Sequence, residues 1–107
     1  MIDPLVWPPG GQTPLTGGTI TREIMITNKR GLHARASAKF VQCVELYQCH
    51  VTVTKGGDTV GGTSIMGLMM LAAGPGTTIT VTSKGYEARE CLDAIEGLLS
   101  EKFGEEE

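Results

Sequence analysis

Cys49-His50-Val51-Thr52-Val53-Thr54-Lys55-Gly56-Gly57-Asp58-Thr59-Val60-Gly61 is the stretch whose reading decides the fold. Cys49 to Lys55 alternates valine with threonine, so an extended segment there has one apolar face and one polar face. Gly56-Gly57-Asp58 is tight hairpin chemistry, and Thr59 to Gly61 starts a short second strand. Upstream, His33 to Tyr47 is alanine-rich, and its later apolar positions (Phe40, Val41, Val44) recur at helical spacing. Farther upstream, Thr21 to Thr27 alternates around Ile24 and Ile26 and reads as a strand. Asn28-Lys29-Arg30-Gly31 is turn chemistry. Downstream, Thr63-Ser64 opens a short apolar helix, Ile65 to Ala73, and Gly74-Pro75-Gly76 stops it. Thr77 to Ser83 alternates again, with Ile79 and Val81 between threonines. Tyr86 to Phe103 carries the helical stripe Ala88, Cys91, Leu92, Ile95, Leu98 and Leu99. The order is β-α-β-β-α-β-α. Half-polar strands and striped helices predict an α+β open-faced β-sandwich: a four-stranded antiparallel sheet with three helices on one face.

At 107 residues the chain has room for one core of two packed layers, not for two nucleotide-binding halves. A 40% hydrophobic and 20% charged composition is that of a globular domain. The net charge of -3 gives no general reason to expect nucleic acid or an anionic membrane. That charge is unevenly spread. Arg22 to Lys55 holds six basic and two acidic residues, and from Tyr86 onward there are eight acidic and two basic. Such polarity suits docking to an acidic protein surface.

Residues 1–19 hold four of the five prolines and four glycines. They read as a flexible Pro/Gly-rich N-terminal extension, with the functional domain spanning 20–107. Trp7 reads as part of that solvated leader, with a docking anchor as the alternative. Cys43, Cys49 and Cys91 are odd in number and fit no CxxC spacing, so they read as free thiols in a reducing compartment. No stretch approaches the ~18 apolar residues of a membrane span. No basic region precedes an apolar run of about 7–15 residues, as it would in a signal peptide. A cytoplasmic protein without membrane insertion is expected. His50 reads as structural or exposed, and Glu105-Glu106-Glu107 as a solvated end.

The chemistry concentrates in Lys29 to Ala38. Gly31 allows a tight strand-to-helix turn, and His33 then falls at a helix start. The first N–H groups of a helix lack intrahelical acceptors, and with the helix dipole they form an anion site. Arg35 adds a planar cationic fork suited to phosphate oxygens. Both disfavour a further positive charge on the imidazole, which leaves His33 neutral and nucleophilic. After attack on a phosphoryl donor, the amides at Ala34 and Arg35 and the Arg35 guanidinium would hold the new negative charge. Neither a metal nor another cofactor is required. The plain alternative is a histidine that merely begins a helix beside a solvated arginine.

Gly61 to Leu71 is more apolar than a short helix over an open sheet needs. Ile65, Met66 and Met69 read as an exposed contact patch, and Leu68 and Leu71 as buried. Ser64 reads as the helix N-cap. A phosphate there would be tolerated locally but would place negative charge within the patch.

These residues resemble a known family. Ile24 to Leu99 resembles the phosphocarrier protein HPr of the bacterial phosphotransferase system. Gly31-Leu32-His33-Ala34-Arg35 looks like its phosphorylation-site motif, and Ser64-Ile65-Met66-Gly67 like its regulatory-serine motif. The two lie 31 residues apart, as the family requires. The resemblance implies that His33 accepts a phosphoryl group on Nδ1 from Enzyme I, which draws it from phosphoenolpyruvate. His33 would pass the group to an EIIA-type protein, with Arg35 stabilising it. Ser64 would be the target of an HPr kinase/phosphorylase, and Ile65, Met66 and Met69 would belong to the docking surface. A monomeric carrier is expected, serving either the sugar-uptake or the nitrogen-related branch. One departure is Ala36, where the family usually has proline. Proline pre-organises a first turn, but alanine still supports a helix.

Two other classes compete: a regulatory module of the same fold, and a small α+β domain that binds nucleic acid or metal. A regulatory module of the same fold would act by contact without phosphoryl relay, but the histidine argues against the family's purely regulatory members. An RNA-binding sheet would stack bases on strand aromatics, and Trp7, Phe40, Tyr47, Tyr86 and Phe103 are not central in any predicted strand. A copper-handling domain would need cysteines in the turn that holds Arg30 to His33.

Overall fold

A computed structural model of the chain describes residues 18–105. The Trp7 reading, most of the Pro/Gly-rich segment and Glu106-Glu107 lie outside the described residues. Seven elements follow the predicted order. They are β1 (Thr19–Met25), α1 (Ala34–Glu45), β2 (His50–Lys55), β3 (Asp58–Gly61), α2 (Ile65–Met70), β4 (Thr78–Lys84) and α3 (Ala88–Ser100). A one-turn 3₁₀ segment, Lys102–Gly104, follows α3.

The strands form one antiparallel sheet in the order β1-β4-β2-β3. The period of two in the sequence decides which face is covered. Ile24 pairs with Ile79, and Val53 with both Val81 and Val60. Val51, Val53, Ile79 and Val81 are buried on the face that meets the helices. The other face is lined by threonine. Thr21 and Thr82 share a hydroxyl contact of 3.2 Å, and Thr54 and Thr59 one of 2.8 Å. Threonine suits an uncovered sheet face because it keeps β-branching and adds a hydroxyl.

The helices cover the apolar face. α1 buries Ala36, Phe40, Val41 and Val44, and α3 buries Ala88, Cys91, Leu92, Ile95 and Leu99. Full burial of a side chain such as Phe40 or Ile95 is worth roughly 1.5–3 kcal/mol. Arg22 ties β1 to α3 through Asp93 and Glu96, both at 2.8 Å. As expected, Leu68 and Leu71 are buried, and His50 is exposed at the start of β2.

The ends of the elements differ from the sequence reading. β1 begins at Thr19, which pairs with Lys84, so the sheet takes in the last residue of the segment read as an extension. The strand stops at Met25, although Ile26 still donates to Thr77 O at 2.8 Å. α2 stops at Met70 because Ala72 turns left-handed at φ +53. α3 ends at Ser100, short of Phe103. The backbone turns left-handed at Lys102 (φ +56) and Phe103 (φ +59), which sends the Phe103 ring into the core. Lys39 on α1 donates to the Phe103 carbonyl at 2.6 Å and fastens this turn. The chain beyond it is thereby carried toward the start of α1.

Candidate functional site

The turn between β1 and α1 is fixed at several points. Gly31 N–H donates to Asn28 O at 3.2 Å, and the Asn28 Nδ2 donates back to Gly31 O at 2.9 Å. Leu32 N–H donates to Ala73 O at 3.0 Å, and the buried Ser37 hydroxyl donates to Leu32 O at 3.1 Å. Gly31 is the residue this approach demands. Its φ is +65, and a Cβ there would lie 2.2 Å from the Ala73 carbonyl oxygen.

This turn delivers His33 as the N-cap of α1, in extended conformation at φ -74 and ψ -179. The first helical bond runs from Ser37 N–H to His33 O at 2.8 Å. The N–H groups of Ala34, Arg35 and Ala36 have no acceptor among the described residues. These are the open donors of a helix start. Arg35 is exposed, and its guanidinium has no ion-pair partner among the described residues. Ala36 is fully buried and the helix forms through it, so the missing proline does not interrupt α1.

The imidazole is part-buried, with the side chain 15% exposed. A shallow depression of about 190 Å³ beside it is lined by Arg30, Leu32, His33, Ala72, Ala73 and Gly74. The Nε2 atom lies 2.5 Å from Glu105 Oε2. The other Glu105 oxygen accepts from Asn28 Nδ2 at 3.2 Å. Nδ1 has no hydrogen-bond partner among the described residues. The hydrogen bond to His33, first, and then that from Asn28 hold the Glu105 carboxyl below the usual carboxylate range.

Glu105 corrects the sequence reading of a wholly solvated acidic end: its side chain is 19% exposed and bonded on both oxygens. Asn28 was read only as a turn residue. Its side chain is fully buried and links the turn to the carboxylate. Phe103 followed by Gly104, an apolar residue and then a helix-ending glycine, is a local signal for the turn that precedes Glu105. No local pattern announces a bond across 72 residues.

The second stretch makes no hydrogen bond to that carboxylate. Ser64 is the N-cap of α2, exposed, and its Oγ accepts from Gly67 N–H at 2.9 Å. Ile65, Met66 and Met69 are exposed at 40%, 67% and 38%. Met70, which the sequence reading left out of the patch, is exposed at 77%. The three cysteines are free, and burial pushes the Cys43 and Cys91 thiols up. Among the described residues no group of three or more His, Cys, Asp or Glu is placed to hold a metal ion.

Comparison with known proteins agrees with this geometry. Residues 20–101 match the family described as PTS HPr component phosphorylation site. The chain is 44% identical over 88 residues to phosphocarrier protein HPr of Cupriavidus necator, covering 82% of this chain and 99% of that protein. It is 47% identical over 88 residues to phosphocarrier protein HPr of Neisseria meningitidis serogroup A, with the same coverage. Among solved structures, HPr of Thermoanaerobacter tengcongensis superimposes with a TM-score of 0.79 at 36% identity, covering 82% of this chain and 99% of that one. The chain therefore belongs to the HPr family of phosphocarrier proteins, components of the phosphotransferase system.

Proposed function

We propose that this chain relays a phosphoryl group through Nδ1 of His33, taking it from Enzyme I, which is charged by phosphoenolpyruvate, and giving it to an EIIA-type protein. The observation that carries this reading is His33 at the N-cap of α1, with Nδ1 unoccupied and the next three backbone N–H groups open. The N–H groups of Ala34 and Arg35 and the Arg35 guanidinium hold the phosphoryl oxygens. Each helix-terminus contact with an anion is worth only about 0.3–2 kcal/mol, and weak holding suits a carrier that must release its load.

Docking uses Ile65, Met66 and Met69, whose flexible side chains adapt to more than one partner surface. Ser64 is the regulatory site, modified by an HPr kinase/phosphorylase. A phosphate on its Oγ keeps an acceptor at the start of α2 and adds a charge of about -1.5 to -2 amid the apolar patch. The protein works as a cytoplasmic monomer with no nucleic-acid partner. No helix among the described residues is long and apolar enough to cross a membrane.

The deciding experiment incubates the chain with Enzyme I and phosphoenolpyruvate and maps the modified residue by mass spectrometry. Acid-labile, base-stable phosphate on His33, absent from a His33→Ala variant, is the expected result. A chain that stays unmodified while binding its partners would be a contact-only regulator.

A further inference from the structure

We propose that Cys49 and Cys91 are a thiol redox pair: hydrogen peroxide oxidises Cys49, and Cys91 captures the oxidised sulfur as an intramolecular disulfide. The pair is independent of the phosphocarrier reading and adds to the chain a modification site away from His33.

The fold brings the two cysteines together from distant parts of the sequence. Glu87, the N-cap of α3, donates its N–H to Gln48 O at 3.0 Å, and Gln48 N–H donates to a Glu87 carboxylate oxygen at 2.8 Å. The residue before Cys49 is thus clamped to the start of α3. Cys91 lies one helical turn beyond that clamp, its N–H donating to Glu87 O at 2.9 Å. Gly85 lets the backbones close up, since at φ +129 a Cβ there would lie 3.1 Å from Cys49 Cα. Cys91 belongs to the hydrophobic core, and Cys43 and Cys49 pack against that core. Burial and then the side chain of Cys49 push the Cys91 thiol up, as a neighbouring sulfur does. Cys43 stands on the last turn of α1, a helix of 12 residues and about 18 Å, so the thiols gather at the end away from His33.

Exposure sets the order of events. Cys49 is half-buried and reaches solvent, whereas Cys91 is fully buried and does not. A peroxide therefore meets Cys49 first. The Cys49 thiolate attacks one oxygen, the S–O bond forms, and the O–O bond breaks. The leaving hydroxide takes up the Cys49 proton as water, and the sulfur, oxidised by two electrons, becomes a sulfenic acid. Cys91 then gives up its proton and attacks that sulfur. The S–S bond forms, the S–O bond breaks, and hydroxide leaves with the proton as a second water. Two thiols and one peroxide give one disulfide and two waters. Proximity offsets the weak nucleophilicity of a buried thiol, and a dithiol reductant reverses the product.

The test treats the reduced full chain, Cys43→Ser and Cys91→Ala with a few equivalents of hydrogen peroxide and maps peptides by non-reducing mass spectrometry. The parent and Cys43→Ser should each lose two hydrogens, yield a linked Cys49–Cys91 peptide and regain both thiols in dithiothreitol. Cys91→Ala should leave a Cys49 sulfenic acid that dimedone traps. The oxidised parent should melt about 5 °C or more above the reduced one, because the bridge closes a long loop in the unfolded chain. A bridge to Cys43, a bridge between two chains, or thiols that stay free overturns the proposal. An oxidised form that melts no higher than the reduced one also overturns it, because that bridge is strained and not built into the fold. The parent and Cys43→Ser decide the matter whether or not Cys91→Ala folds.

Discussion

Glu105 Oε2 and His33 Nε2 meet at 2.5 Å across 72 residues of chain, joining the two ends of the described domain. The meeting depends on two further features. One is the left-handed turn at Lys102 and Phe103, and the other is the Asn28 side chain.

This contact gives the fold a defined acid sensitivity. Glu105 is lowered from its ordinary 4.5, chiefly by the His33 hydrogen bond. A depressed carboxyl adds stability above its unfolded value, and that stability is lost as pH falls through the lowered folded value. Thermal melts of the parent and Glu105→Gln should therefore differ at pH 7. Their midpoints should converge only below 4.5. A gap that stays constant down to pH 2 removes the Glu105–His33 hydrogen bond from the account.

Gly31→Ala should be severely destabilising. It would put a side chain at φ +65, with its Cβ against the Ala73 oxygen. Left-handed backbone alone costs a non-glycine residue about 1–2 kcal/mol, and relieving the overlap must displace the bond from Leu32 to Ala73 O. A loss of about 3 kcal/mol in urea denaturation is expected. A loss under about 1 kcal/mol would show that the two loops separate freely.

Arg35→Ala should leave the melting temperature within a degree or two, because the exposed guanidinium has no protein partner among the described residues. Phosphoryl transfer from Enzyme I should slow by about tenfold or more, since a charge-assisted contact is lost. Rapid-quench kinetics beside calorimetric melts separate the two effects. An unchanged rate removes Arg35 from the phosphoryl site.

Ser64→Asp should weaken association with Enzyme I by about tenfold while keeping α2 capped, because aspartate also accepts at an N-cap. Titration calorimetry measures the first effect and circular dichroism the second. Unchanged affinity would mean that the patch of Ile65, Met66 and Met69 is not where Enzyme I sits.

Much of the architecture was legible because the strands carry a clean period of two and the helices a clean 3.6. Val51, Val53, Ile79 and Val81 all face the core, as their alternation with threonine predicts. His33 and Ser64 stand at their helix starts because glycine turn chemistry and a serine cap are local signals. Helix ends were less legible. The stripe of α3 runs on into Phe103, and periodicity could not show that the backbone reverses hand before that ring is buried. Glu105 was read as solvated for the same reason: in a run of three glutamates, composition says water, and only the fold says which one meets a histidine.

The Phe103 turn also bears on how the protein is handled at the bench. A purification tag fused after Glu107 is tethered, along the sequence, two residues from the carboxylate that touches His33, the residue proposed above to carry phosphate. A tag at the opposite terminus is separated from Thr19, the start of the sheet, by eighteen residues. Kinetics recorded with the two fusions should therefore not be pooled.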